Sequence, residues 1–232
     1  MMVPKKFHYQ FAQSIKNFKK HIDFGVEKIC RFENYPVIES EVSRFVVDLN
    51  RERDDIKSEQ GVIINKDWDN FAVLKQELNK KEIEERLVYY DSFYKKLKSL
   101  LSESKNGFLL DSHSMDSKNH GDGTKRPDIC LANNFGKTCP KKITEIFKEE
   151  FGKSGYWVEE NNPYSGSRAK IIRFANEFSV SSLAVEFNKG IYMDEKTFEL
   201  KLGEINKLRE ILLRVLGKIG GVNNLNISYE FL

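Results

Sequence analysis

Short apolar runs that close on polar residues alternate along this chain with long segments of helical periodicity, and few folds accommodate that alternation. Gly107-Phe-Leu-Leu-Asp111, Asp128-Ile-Cys-Leu131 and Ser182-Leu-Ala-Val-Glu186 read as buried strands, and Tyr156-Trp157-Val158 as a further extended run. Between them, Ile83, Leu87, Tyr90, Tyr94, Leu97 and Leu101 step by three and four, predicting a helix from about Lys80 to Leu101. Ile143–Phe151 and Glu195–Leu216 read as further helices, the second ended by Gly217 and Gly220-Gly221. Strands alternating with helices predict a three-layer α/β sandwich around a mostly parallel or mixed sheet, with residues 1–232 as one domain.

The first eighty residues are less regular. Phe18, Ile22, Val26 and Ile29 predict one amphipathic helix over about Lys16–Phe32, and Pro36-Val37-Ile38 and Phe45-Val46-Val47 read as short strands. A long polar loop containing Gly61 and Trp68 follows. A formal net charge of only +3, spread along the chain, argues against a nucleic-acid partner. No apolar run approaches a membrane span, and the N-terminus has no apolar signal core. Cys30, Cys130 and Cys139 form no C-x-x-C pair, so neither a disulfide framework nor a zinc knuckle is expected, and the reading is cytoplasmic.

In open α/β sheets ligands bind beyond the carboxyl ends of the strands, which directs attention to the polar residues there. His113, just past the Gly107–Asp111 run, can hold a metal through one ring nitrogen while Asp111 orients the ring or ligates as well. It reads equally as a surface histidine in a turn. Glu186, closing Leu183-Ala184-Val185, suits a general base if partly desolvated; otherwise it is an exposed or salt-bridged acid. Ser43-Arg44-Phe-Val-Val-Asp48-Leu49-Asn50-Arg51 offers two guanidinium forks for a substrate carboxylate, or a structural Arg–Asp pair. Asn162-Pro163-Tyr164-Ser165-Gly166 is by itself only a turn.

Taken in order, these segments resemble the N-formylglutamate amidohydrolase family. The Arg…Asp-Leu-Asn-Arg segment stands at Arg44–Arg51, and a preceding D-x-x-V-x-x-L stretch at Asp23–Ile29. Asp-x-His-Ser is Asp111–Ser114, Pro-Asp-Ile is Pro127–Ile129, and the Asn-x-Pro-aromatic-x-Gly turn is Asn162–Gly166. The acid-bearing strand before Tyr-Met-Asp-Glu is Ala184–Glu195, so the resemblance spans about Val3–Glu195. It implies a fold similar to the zinc exopeptidases and an amide hydrolysis assisted by one zinc ion. His113 and Asp23 would be zinc ligands, Asp111 would orient the imidazole, and Glu186 would be the base. Arg44, Arg51, Asn162, Arg168 and Arg173 would hold a small N-acyl amino acid, N-formyl-L-glutamate or a similar compound, which is cleaved to formate and the free amino acid.

The chain also departs from the family pattern. The family's opening strand and its Pro-His-Ser-Gly motif have no counterpart before Val3-Pro4-Lys-Lys-Phe7, and in-frame codons for them are expected upstream of Met1. Of the upstream histidines, His8 and His21, the second is unattractive as a substitute because His21 and Asp23 on one helix would point apart. The family's paired glycines are Gly166-Ser167 here, and its aromatic–His pair is Phe93-Tyr94. These departures leave two alternatives to the enzyme: a member without catalysis that serves as a binding or structural protein, and a metallo-amidase acting on N-acyl peptides.

Overall fold

A computed structural model of the protein describes residues 3–104, 107–220 and 224–228. The strands are β1 (Phe108–Met115), β2 (Ile129–Ala132), β3 (Val158–Glu160), β4 (Ser181–Asn188) and β5 (Asn224–Ser228). They form one sheet in the order β3-β2-β4-β1-β5. β1 runs parallel to β4 and β5, β2 runs parallel to β3, and the β2–β4 pair is antiparallel, so the sheet is mixed.

Helices cover both faces, which makes three layers. The side chains of β1 alternate: Leu109 packs into a core with Leu87, Tyr90, Phe93 and Leu97 of α2 (Lys80–Glu103) and with Ile171 and Ala175 of α4 (Lys170–Glu177). Phe108 and Leu110 face the opposite core, built from α1 (Val26–Cys30), α3 (Lys141–Lys153) and α6 (Leu202–Ile219). A one-turn helix, α5 (Lys189–Tyr192), follows β4 directly. The three cysteines are buried and not joined in disulfides, and no helix is long and apolar enough to cross a membrane among the described residues.

α2 extends to Glu103 and opens on a capping box: Asn79 accepts from the Glu82 amide, and the Glu82 carboxylate accepts from the Asn79 amide. Replacing Asn79 with Ala removes one of these bonds and is expected to cost about 1 kcal/mol. In a chain of this size that lowers Tm by roughly 2–4 °C. Thermal unfolding checks it, and an unchanged Tm would mean that the cap contributes nothing.

Several segments differ from their expected form. Lys16–Phe32 is not one helix: a 3-10 helix spans Ile15–His21, the chain is extended at Ile22, and Gly25 at φ 86° admits α1. The apolar spacing is real, but Phe18 and Ile22 belong to one core while Val26 and Ile29 belong to the other. A single helix could not reach both sides of the sheet. Residues 44–46 form a turn and Val37 only an isolated bridge, so neither expected strand exists. Their β-branched residues mark burial; the carbonyls of Phe45 and Val46 accept from the fully buried Arg86 of α2, at 3.0 and 2.9 Å, instead of from a neighbouring strand.

The last helix starts at Leu202 rather than Glu195, because Asp194 caps the intervening turn through the amides of Lys196 and Thr197. Gly217 lies inside it and Gly220, at φ 72°, ends it; Gly221 lies outside the described residues. Helix α4 was not anticipated from the sequence, being only eight residues long.

Candidate active site

His113 and Glu186 were expected at strand ends, but both lie two residues inside β1 and β4. The two strands are parallel neighbours and the residues are register partners, so the pleat sends both side chains to the α2/α4 face. A cavity of about 360 Å³ opens there, within the range that holds a small ligand. Its walls include Asp23, Arg44, His113, Arg126, Tyr164 and Glu186.

The imidazole of His113 sits between two acids. Nδ1 is 3.2 Å from Asp23 Oδ2, on the cavity side, and Nε2 is 2.9 Å from Oδ1 of Asp111, which is fully buried beneath it. Burial alone would lower the pKa of His113, but Asp111 and Asp23 outweigh it and hold the proton well above the usual imidazole range. The second oxygen of Asp23 accepts from the Ser114 amide at 2.6 Å and from its hydroxyl at 2.8 Å. Ser114 thereby turns Oδ2 towards His113. Burial raises the Asp23 carboxyl, yet His113, Arg44 and the Ser114 amide together keep it below its ordinary value.

The pair has the spacing of two ligands on one ion. Donors about 2.0–2.2 Å from a tetrahedral centre stand roughly 3.3–3.5 Å apart, close to the 3.2 Å observed. An ion that displaced the Nδ1 proton would find a ring nitrogen, the carboxylate Oδ2 and an acid behind the other ring nitrogen, the donor set of a histidine–carboxylate metal site. Burial raises the pKa of Glu186 from 4.5 to about 7; Asp23 and Asp111 add to the rise, and His113 and Arg44 oppose it.

Of the arginines expected to bind substrate, Arg44, Arg51 and Arg168 line the cavity. Arg44 donates through Nη2 to Asp48 at 2.6 Å and stacks over Trp68, so the Arg–Asp pair exists and leaves part of the guanidinium facing inward. Arg51 spends Nε and Nη1 on the carbonyls of Gln60 and Asn50. Arg168 is exposed and 3.5 Å from Asp55. Arg173 is bonded to Glu52 at 2.6 Å and Asn162 is exposed; the structure brings neither into the cavity wall. The cis Asn162–Pro163 turn instead places Tyr164 there.

Sequence reasoning missed Asn50 and Arg126. Asn50 donates to Asp111 Oδ2 at 3.2 Å and accepts from the Ile171 amide at 3.0 Å, tying the acid to the start of α4. Its place in Asp-Leu-Asn-Arg was the available signal. Arg126 stands over the Tyr164 ring with a buried Nε that has no hydrogen-bond partner; its place directly before Pro127-Asp128-Ile129 was the available signal. Tyr94 donates its hydroxyl to Leu49 O at 2.7 Å.

The sequence profile of N-formylglutamate amidohydrolase matches residues 1–193. The chain belongs to the N-formylglutamate amidohydrolase family. Its fold is similar to the crystal structure of N-formylglutamate amidohydrolase from Ralstonia eutropha JMP134, with a TM-score of 0.77 at 19% identity over 94% of this chain and 89% of that one. It is also similar to a gene product of Agrobacterium tumefaciens, with a TM-score of 0.69 at 16% identity over 94% and 85% of the two chains. No curated protein matches the sequence significantly. Membership in this amidohydrolase family makes hydrolysis of an amide the chemistry to be explained, with a small molecule as substrate. Among the described residues, one three-residue group could hold a metal ion, His21 with Asp67 and Asp69, and it is not the group the sequence pointed to.

Proposed function

We propose that this chain is a zinc-dependent amidohydrolase that cleaves N-formyl-L-glutamate, or a similar N-acyl amino acid, to formate and the free amino acid. The observation that carries this reading is the opposed pair of His113 Nδ1 and Asp23 Oδ2 on the cavity wall, with Glu186 directly across the strand pair. His113 and Asp23 would hold the ion. Bound there, zinc would lower the pKa of a water and polarise the formyl carbonyl.

The protein's own groups supply the rest. Ionised Glu186 takes a proton from the attacking water as its oxygen adds to the formyl carbon. The same carboxyl then gives that proton to the amide nitrogen as the C–N bond breaks, and the products are formate and an amine. A pKa of about 7 suits a group that must both accept and return a proton. Asp111 and Asn50 fix the imidazole ring. Arg44, Arg51, Arg126 and Arg168 give the cavity a positive wall for the carboxylates of an acidic N-acyl amino acid.

Arg44→Lys keeps the charge but loses the fork that can hold Asp48 and a substrate carboxylate together. KM for N-formyl-L-glutamate is expected to rise roughly tenfold or more, with kcat within a few-fold. An unchanged KM would remove Arg44 from substrate binding.

A second reading, a member that binds N-acyl amino acids without turning them over, is favoured by one observation. His113 and Asp23 are two donors where catalytic zinc usually has three protein ligands. Release of formate from N-formyl amino acids, and of the corresponding carboxylate from N-acyl peptides, separates the readings. The amidohydrolase reading expects turnover that is fastest with N-formyl-L-glutamate or another acidic N-formyl amino acid. Tight binding without turnover, or preference for N-acyl peptides, would overturn it.

A further inference from the structure

His21 closes its 3-10 helix with its ring set into the cavity wall, and its side chain is only 2% exposed. Because the chain is extended at Ile22 rather than helical, His21 and Asp23 both line the one cavity, contrary to the expectation that they point apart. Phe45 and Trp68 hold the imidazole from two sides, with ring centroids at 6.2 and 5.6 Å. Opposite Nε2 lies the turn Asp67-Trp68-Asp69. Asp67 Oδ1 folds that turn by accepting from the amides of Asp69 at 3.0 Å and Phe71 at 2.9 Å. Its Oδ2 then stands 3.6 Å from His21 Nε2, and Asp69 Oδ2 stands 3.4 Å from it.

Nε2 of His21 nevertheless has no hydrogen-bond partner, although it is buried and aimed between two carboxylates. A buried ring nitrogen left in that state is unfavourable unless something else occupies the gap. The separations are too long for hydrogen bonds yet close to the roughly 3.3–3.5 Å between two donors on one tetrahedral ion. One imidazole and two carboxylates are also the donor set that zinc and manganese accept. We propose that His21 Nε2, Asp67 Oδ2 and Asp69 Oδ2 form a second site for a divalent cation of the zinc or manganese class, distinct from the His113–Asp23 pair.

The surroundings suit that role. Asp69 Oδ1 is held by His120 Nδ1 at 3.2 Å, and Asp67 Oδ2 also accepts from Gln13 at 3.0 Å, so both carboxylates are oriented from behind. Lys20 pairs with Asp69 from the solvent side on a half-exposed side chain, a cation that an incoming ion can displace. The site uses none of the residues assigned to catalysis and does not depend on the amidohydrolase reading.

Equilibrium dialysis of the full chain against zinc, with metal counted per chain, tests it. The wild type is expected to hold two ions, His113→Ala one, and His21→Ala one. Asp69→Asn, on a partly exposed side chain that leaves the turn-forming Asp67 in place, is expected to weaken the second ion at least tenfold while folding normally by circular dichroism. A wild-type chain that holds only the ion lost in His113→Ala would overturn the second site, as would Asp69→Asn and His21→Ala chains that bind as the wild type does. Loss of metal in Asp69→Asn but not in His113→Ala would uphold this site and remove zinc from His113.

Discussion

Glu186→Gln is expected to lower kcat for formate release by roughly a hundredfold or more while leaving the zinc content unchanged. Glutamine keeps the shape of the side chain and a carbonyl acceptor but cannot take and return a proton. Glu186 lies opposite His113 in the register yet is not one of the two opposed donors, so its loss falls on turnover rather than on metal capture. The pH profile gives a separate reading. Burial lifts the Glu186 carboxyl from 4.5 to about 7, so the folded chain favours its protonated form. Its contribution to stability is therefore present below about pH 4.5 and lost as pH rises towards 7. Activity runs the other way, since only the ionised carboxylate can accept a proton. A bound cation lowers that pKa, so the rising limb of kcat/KM should lie at or below about 7 and disappear in Glu186→Gln. A variant with full activity, or one that keeps the limb, would dismiss the base.

His113→Ala is expected to abolish both formate release and the zinc associated with it. The substitution removes one of two opposed donors and also strands Asp111, a fully buried carboxylate whose charge the imidazole offsets at 2.9 Å. Breaking a buried ion pair on one side costs about 3–5 kcal/mol, so the variant should also unfold earlier. His113→Gln, which retains a polar side chain over Asp111, should recover part of the stability and none of the metal. Metal analysis beside thermal unfolding separates the two effects. If His113→Ala keeps zinc and activity equal to the parent, the assignment is wrong.

The regular elements were legible because their signals are local. The period of α2, the apolar runs of β1, β2 and β4, and the polar residues near their ends all follow from burial on a helix face or a pleated strand. His113 and Glu186 drew attention as polar residues expected at the ends of these strands, although both lie two residues inside them, and Asp23 came only through the family pattern. Residues 15–47 were misread because periodicity reports burial without saying against which core. Phe18 and Val26 lie on opposite sides of the sheet, and Phe45 and Val46 are buried beside Arg86 rather than beside a strand. Partners distant in the chain were beyond reach for the same reason. Nothing near Arg173 announces Glu52, nothing near Arg126 announces Tyr164, and nothing near His21 announces Asp67 and Asp69.

The central claim is that zinc held by His113 and Asp23 supports hydrolysis in the cavity at the strand ends. Titrating metal-stripped protein with zinc while following formate release from N-formyl-L-glutamate tests it most directly. The account predicts activity that is absent without metal, rises and saturates with added zinc in the wild type, and stays flat in His113→Ala at every zinc concentration. Full activity in the metal-stripped wild type, or a His113→Ala chain that follows the wild-type curve, would contradict it.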